Sequence, residues 1–259
     1  MTKNISKKSG APPSMEGEKF WAMRAKRYEK LEWVNKGSYL HAFLNSGRFT
    51  PNDIVLDVGT GTGIIAQTLA PHVREVVGID ISQEMLDKAA MQPLKNARWI
   101  KMDTHRLQFP DEMFDKITAR MVFHHVIRKT RQAMSECHRV LRRGGTMVFS
   151  EGVPPTEHVK PFFTKMFKLK EKRITFMEPD LIELMHKAGF KKIKSKILFV
   201  RQASIKNWLV NSGIPQKNQD RIFQMHLDLD EQGKKDYKMT IKDNDCFIDM
   251  KFVILTGQK

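Results

Sequence analysis

The sequence predicts an α/β protein: a doubly wound, mostly parallel sheet with helices on both faces. Three observations lead there. The first is Ile54-Val55-Leu56-Asp57-Val58, a short β-branched run that is apolar except at Asp57. Such a run suits a central strand covered on both faces. The second is the sequel, Gly59-Thr60-Gly61-Thr62-Gly63, followed by an apolar stretch from Ile64 that reads as a helix start. Alternate glycines let a backbone turn tightly and approach a ligand without Cβ atoms in the way. The free N–H groups of the next helix face that same ligand. The third is a series of acidic strand ends. Val76-Val77-Gly78-Ile79 closes on Asp80, and Ala97 to Met102 closes on Asp103, which with Asp57 makes a set of strand-end carboxylates.

The elements follow in order. Residues 1–15 are polar and basic, contain Gly10 and Pro12-Pro13, and are expected to form a flexible tail. Residues 16–33 read as a helix with Phe20, Trp21, Met23, Tyr28 and Leu31 as its apolar or amphipathic members. A second helix covers Ser38 to Leu44, and Pro51-Asn52 leads into the first strand. The helix from Ile64 to Leu69 stops near Pro71, and Ser82 caps the helix after the second strand. Phe114 to Ala119 is the fourth strand and leads into Arg120-Met121-Val122-Phe123-His124-His125-Val126. A helix from Thr130 to Leu141 is expected to close on Arg142-Arg143-Gly144-Gly145, with cations and a glycine stop at its C-terminus. Thr146 to Ser150 is the fifth strand, with Glu151 at its carboxyl edge expected as a solvated loop carboxylate or else as a substrate contact.

The second half is basic and aromatic. Lys160 to Arg173 mixes Phe162, Phe163, Met166 and Phe167 with Lys165, Lys168, Lys170, Lys172 and Arg173, as an amphipathic helix with a basic rim would. Asp180 to Ala188 reads as a helix ended by Gly189. Lys191 to Val200 reads as a strand with Lys192, Lys194 and Lys196 outward. Helices at 204–210 and 216–229 precede a last strand at 247–256. Residues 16–259 are thus expected to form one domain, with 204–238 inserted as a helical lid carrying Trp208 and Tyr237.

Bulk properties narrow the function. No apolar run approaches the roughly 20 residues that span a bilayer, and the basic leading segment lacks the apolar core of a signal peptide. Cys137 and Cys246 imply no disulfide framework, so a cytoplasmic location is the default. The net charge of +16 favours an anionic partner, or else reflects a solvated lysine-rich surface.

The glycine loop does not match a dinucleotide fingerprint, because Ile64 stands where G-x-G-x-x-G needs its third glycine. Asp57 would also repel a pyrophosphate, whereas it suits a ligand carrying an amine and a sulfonium. S-adenosylmethionine is such a ligand. With these residues the chain resembles the class I S-adenosylmethionine-dependent methyltransferases, in their ubiquinone/menaquinone-type small-molecule branch. The pieces that carry the resemblance are Val55 to Gly63, Val77 to Ser82, Met102 to Thr104, Phe109-Pro110-Asp111 with Phe114-Asp115, and Leu141 to Gly145, within about residues 16–150.

The resemblance implies a Rossmann-like sheet and a set of site residues. Asp57, Gly59, Thr60 and Gly61 would hold the methionine part. Asp80 would take the ribose hydroxyls, Ile81 and Met85 would wall the adenine, and Asp103 with Thr104 would face its amino group. Tyr28 would lie near the methyl group. Arg120 opens the segment that borders the ligand beyond the strand ends. His125 is the matching candidate for a general base or for a partner of the lid tyrosine. A helical segment would let only one of His124 and His125 face the site, and no third ligand at a convincing spacing supports a metal. The expected reaction is methyl transfer to O, N or C of a small-molecule acceptor, anionic or borne on an acidic carrier protein. An RNA methyltransferase and a non-catalytic S-adenosylmethionine-binding protein are the rival readings. No appended RNA-binding domain favours the first of these.

Overall fold

A computed structural model describes residues 21, 27, 30, 31 and 37–259. The expected tail and most of the expected leading helix, Tyr28 included, lie outside these residues.

Helix α1 (Gly37–Gly47) precedes strand β1 (Ile54–Val58), and α2 (Ile64–Leu69) follows the glycine loop. Then come β2 (Glu75–Asp80), α3 (Gln83–Ala90), β3 (Ala97–Lys101), β4 (Phe114–Arg120), α4 (Thr130–Val140) and β5 (Leu141–Val153). The second half adds α5 (Lys160–Lys168), α6 (Glu178–Lys187), β6 (Lys191–Ser204), α7 (Ile205–Val210), α8 (Gln216–Leu227), α9 (Glu231–Asp236), β7 (Thr240–Lys242) and β8 (Asp245–Gln258). Among the described residues no helix is long and apolar enough to cross a membrane.

The strands form one sheet in the order β3-β2-β1-β4-β5-β8-β6, with β7 paired to β8. The ladders from β3 through β5 are parallel, and β8 runs antiparallel between β5 and β6. Alternation along the buried strands splits the core in two. Val55, Val76 and Val148 join one cluster with α1, α2, α5 and α7. Leu56, Val58, Val77, Met147 and Phe149 join the other with α4 and α6. Helices therefore cover both faces, as the period-2 pattern of a fully buried strand requires.

Register places the site. Asp57 lies opposite Gly78 on β2 and Thr118 on β4. Gly78 lies opposite Trp99, and a Cβ at Gly78 would stand 2.6 Å from the Trp99 ring. The bare backbone at Gly78 is thus what lets the indole lie across the sheet.

Three differences from expectation have local causes. Arg142 to Gly145 does not close α4; the helix ends at Val140, and Leu141 already pairs with Phe114. Both partners are fully buried, so burial of Leu141 against Phe114 draws the chain into the ladder. Gly144, with φ of +75°, then lies where the register shifts instead of stopping a helix. Strands β6 and β8 run 14 residues each because they pair along most of their length. Finally, β7 forms a hairpin with β8 through Asp243-Asn244, both at positive φ (51° and 56°), the type I′ geometry that Asp and Asn tolerate.

Residues 205–236 fold as α7, α8 and α9, and Ile205, Trp208, Leu209 and Ile222 are buried in the first core. Two described residues ahead of α1 reach α7: Arg27 donates to the Val210 carbonyl at 3.4 Å, and the Asn207 amide to that of Lys30 at 3.4 Å.

Gly78→Ala should lower the urea midpoint by an amount equivalent to about 1–3 kcal/mol, the usual cost of overpacking. Trp99→Leu in the same chain should recover part of that loss, since it removes the clashing ring.

Candidate active site

In an open α/β sheet ligands bind beyond the carboxyl ends of the strands. Here two recesses occupy that edge. The smaller, about 300 Å³ with its open mouth, is lined by Asp57, Gly59, Thr60, Gly61, Ile64 and Arg120, among others.

Its floor is built by glycine geometry. Gly59 sits at φ +62°, and a Cβ there would be 2.4 Å from Val122. Gly61 sits at φ +56°, with no heavy atom within 4 Å of where its Cβ would point. Gly59 is thus required by packing and conformation together, while Gly61 leaves open space beside the loop.

Asp57 is 1% exposed. One carboxylate oxygen accepts from Thr60 Oγ1 at 2.6 Å and the other from Thr118 Oγ1 at 2.7 Å. Burial pushes its pKa up to about 6, against the pull of those hydroxyls and of Arg120. The Arg120 guanidinium lies 5.5 Å from the Tyr39 ring centre, and the Tyr39 hydroxyl shares a 2.8 Å hydrogen bond with Ser150 Oγ. Asp80 accepts from the Gly61 N–H and the Ser82 N–H, both at 2.9 Å, so it anchors the loop from the β2 side. Burial raises its pKa, and these backbone donors oppose the rise.

The structure therefore gathers Asp57, Gly59, Thr60, Gly61 and Arg120 around one recess and ties Asp80 to it through Gly61. Ile81 is half-buried, and Met85 is fully buried under the Ser82 cap. Asp103 is exposed beyond β3 and accepts from the His105 backbone N–H at 2.8 Å, with the His105 ring nitrogen 2.6 Å away; Thr104 is half-buried beside it. Neither Asp103 nor Thr104 lines the recess. An open glycine loop, a buried carboxylate next to it and a second carboxylate at the β2 end fit a ligand with a cationic amino-acid part and a ribose.

Across Arg120-Met121 lies a larger cavity of about 770 Å³ including its mouth. Met121 carries a positive φ of 60° that a side chain disfavours. Its N–H donates to the Ser150 carbonyl at 2.8 Å, and its sulfur accepts from the Gly152 N–H at 3.1 Å. This bend turns the chain out of β4 between the two recesses.

The next three residues converge on Glu151. Its Oε1 accepts from the N–H groups of Val122, Phe123 and His124 at 3.1, 2.7 and 3.3 Å. Its Oε2 lies 2.5 Å from His124 Nδ1. Glu151 is not a solvated loop carboxylate: β5 runs on to Val153, Glu151 pairs with Val253, and its side chain is fully buried. Burial pushes its pKa up to about 7, while the charges of Arg173 and His125 pull it down.

The two histidines are not on a helix that hides one of them. They sit in a tight 3₁₀ turn, their ring centres are 3.9 Å apart, and both line the cavity. The Trp21 ring meets His125 edge-on at 4.6 Å.

The basic rim also departs from expectation. Helix α5 ends at Lys168 and the chain turns inward, so the Lys170 and Arg173 side chains are 2% and 4% exposed. Lys170 Nζ lies 2.6 Å from Glu171 and 5.4 Å from the rings of Phe167 and Trp208, and Arg173 lies 4.1 Å from the Phe167 ring centre. Trp208 and Tyr237 both face this cavity, as does His226, whose pKa burial pushes down to about 4. His124, His125 and Glu171 bring ligand atoms within 4.8 Å of one another. Spacing could not reveal this trio, because Glu171 arrives from beyond α5. Glu171 already holds Lys170 and Arg173, whose charges oppose a cation there.

Comparison with known proteins bears on the family and the fold. The profile of the methyltransferase-domain family matches residues 56–149. A demethylmenaquinone methyltransferase of Thermotoga maritima is 34% identical over 176 residues, 58% of this chain and 75% of that protein. An uncharacterised methyltransferase of Bacillus subtilis is 23% identical over 95% of this chain and its whole length. The crystal structure of that protein superposes with a TM-score of 0.77 over 85% of this chain and 97% of its own. A phosphatidylethanolamine N-methyltransferase of Cereibacter sphaeroides is 36% identical over 138 residues, 50% of this chain and 63% of that protein. The chain belongs to the class I S-adenosylmethionine-dependent methyltransferases. It is an enzyme of their small-molecule group, and its cofactor is S-adenosylmethionine.

Asp57 binds its proton more tightly folded than unfolded, so the stability it removes appears as pH rises from the unfolded value of 3.8 to about 6, and stays constant above that. Asp57→Asn should therefore raise the thermal midpoint of the ligand-free protein at pH 7, by at most about 3 kcal/mol of stability. The gain should vanish below pH 4. Thermal scans of both chains across pH 3.5–8, the window set by that shift, check the sign.

Proposed function

We propose that the smaller recess takes S-adenosylmethionine and the larger cavity a mainly apolar small molecule with one anionic or hydrogen-bonding head. The carrying observation is the lining of the larger cavity. Phe163, Phe167 and Trp208 wall it, while Lys170, Arg173 and the two histidines supply its polar groups. The named activities of the Thermotoga maritima and Cereibacter sphaeroides relatives, on a menaquinone precursor and a phospholipid amine, support an acceptor with a long apolar part.

When bound, the cofactor supplies a methyl group already activated on a sulfonium. The chain's own residues bind, orient and exclude water. Asp57, Gly59, Thr60 and Gly61 hold the methionine part, and Asp80 the ribose. Ile81, Met85, Asp103 and Thr104 border the adenine. Arg120 separates the two recesses, and His125 faces the acceptor side. Residues 204–238 act as the lid, since α7 to α9 bring Trp208, His226 and Tyr237 over the cavity. The acceptor receives the methyl group on O, N or C, and an acidic carrier that delivers it would suit the chain's positive charge. Two buried free cysteines suit work in a reducing cytoplasm.

Calorimetric titration with S-adenosylmethionine tests the reading. Wild type should bind saturably, and Asp80→Ala, shown folded by circular dichroism, should bind at least about tenfold more weakly, or about 1.4 kcal/mol. A folded wild type that binds no S-adenosylmethionine would overturn the assignment of the recess.

A further inference from the structure

His226 and Tyr237 line the larger cavity from the lid side. His226 lies on α8 and is 1% exposed. Its Nδ1 is 2.8 Å from the Ile222 carbonyl. A carbonyl only accepts, so Nδ1 holds the proton and Nε2 the lone pair. Burial keeps the ring neutral at pH 7, with its pKa pushed down to about 4. Tyr237 follows α9 and is 2% exposed. Its N–H donates to the Gly233 carbonyl at 3.1 Å, and its own carbonyl accepts from the Asp249 N–H at 2.8 Å. Both residues are thus held by backbone contacts that leave their polar tips unused. Among the described residues neither the Tyr237 hydroxyl nor His226 Nε2 has a hydrogen-bond partner. Thr62 Oγ1 is the one fully enclosed side-chain oxygen or nitrogen in that condition among the described residues. The two lid atoms therefore keep some open surface, and the cavity is what both side chains line.

Buried polar groups in folded proteins are almost always paired, and an unpaired one is costly. A wall that holds a donor and a lone pair side by side without partners is shaped for a guest that satisfies both. The two ring centres are 6.4 Å apart, close enough for one oxygen to reach both polar tips at about 2.8 Å. From this geometry we infer that His226 and Tyr237 form a specificity subsite for a neutral hydroxyl on the acceptor, remote from the atom that is methylated. The hydroxyl accepts from Tyr237 and donates to His226 Nε2. The inference rests on the larger cavity being the acceptor site, and it adds a second polar group to the head assigned there.

The surroundings select the chemistry. A carboxylate would set negative charge against the His226 lone pair, and a carbonyl would leave that lone pair unpaired. Phe162 meets the His226 ring edge-on at 5.1 Å, and Ile205 and Ile248 line the same cavity, so a charged group would be poorly solvated. The ions of the cavity lie beyond an aromatic middle. The Trp208 ring is 6.5 Å from His226 and 5.7 Å from Phe167, whose ring centre is 4.1 Å from Arg173. Arg173 donates to the Gly152 carbonyl at 3.3 Å, beside the Met121 bend and the smaller recess. The acceptor therefore reacts at one end of the cavity and is recognised by its hydroxyl at the other.

Nitrogen-15 histidine NMR on the full chain with S-adenosylhomocysteine tests the inference, with cyclohexanol and methylcyclohexane as probes of equal shape. The His226 signals are assigned by their loss in His226→Gln. Cyclohexanol should shift the His226 Nε2 signal saturably, and methylcyclohexane should leave it in place. Tyr237→Phe should raise the cyclohexanol midpoint about fivefold, the usual effect of one neutral hydrogen bond. Its thermal midpoint should be no lower than wild type, because the oxygen removed bonds nothing in the chain. An Nε2 signal that cyclohexanol leaves in place, one that both probes move alike, or a Tyr237→Phe probe midpoint equal to wild type would each overturn the subsite. A chain that gives one of these results and still binds S-adenosylmethionine in the calorimetry above keeps the methyltransferase reading. A chain that fails the calorimetry and still shows the cyclohexanol shift keeps the hydroxyl site and loses its part in methyl transfer.

Discussion

A carboxylate taken out of water must collect hydrogen bonds from whatever surrounds it, and that demand shapes the carboxyl edge of this sheet. Asp57 collects hydroxyls from its own loop and from the neighbouring strand, which fixes Thr60 against Thr118. Asp80 collects the Gly61 and Ser82 N–H groups and holds the same loop from the other side. Glu151 collects the turn after β4. Asp80 and Glu151 are needed by backbone that has no regular partner, and Asp57 pins the loop through the Thr60 hydroxyl, so the irregular segments at this edge are held without covering themselves. That is how two recesses stay open next to a well-packed core.

The bend at Met121 then divides the labour. On one side, bare glycine backbone and Asp57 offer negative charge and close approach. On the other, aromatic walls surround a compact group of histidines and paired ions. The strained φ at Met121 is held by hydrogen bonds to Ser150 and Gly152 on β5, the strand that also delivers Glu151. The two recesses are thereby fixed to one another through a single short stretch of chain; in the proposed function, alignment of this kind is the main contribution a protein makes to transfer from an activated methyl group.

Much of the sheet and the glycine-loop end of the smaller recess could be read from sequence, because both are local. Helix α2 runs from Ile64 to Leu69 as expected, and the β1 loop, Asp57 and Asp80 are near one another in the chain. Lys192, Lys194 and Lys196 of β6 are exposed as expected, but Ser195, Ile197 and Phe199 are exposed as well, so their alternation did not divide the strand into an inner and an outer face. What could not be read depends on distant partners. Glu151 looked like a loop residue because its burial comes from β8 and from the turn after β4. Lys170 and Arg173 looked like a solvated rim because their charge reveals nothing about the inward turn after Lys168. Resemblance singled out His125, but the 3₁₀ turn brings both rings to the cavity, and the contact with Glu151 belongs to His124. The Asp243-Asn244 pair was a turn signal in plain view, but the three-residue strand it serves is too short for its own periodicity to show.

The positive charge of the chain is resolved by where its cations sit. Lys192, Lys194 and Lys196 are exposed along β6, the edge strand, where lysines discourage pairing with another sheet. A groove that follows a nucleic-acid backbone needs exposed cations spaced along it. The cations that reach the larger cavity are of the opposite kind: Lys170 and Arg173 are enclosed by Phe167 and Trp208 and paired with Glu171. On the function proposed above, such a pair trades its internal partner for one small anionic head, and it offers nothing to a polymer that cannot enter. The overall charge then bears on solubility and encounter, while in that proposal the enclosed pair bears on what is methylated.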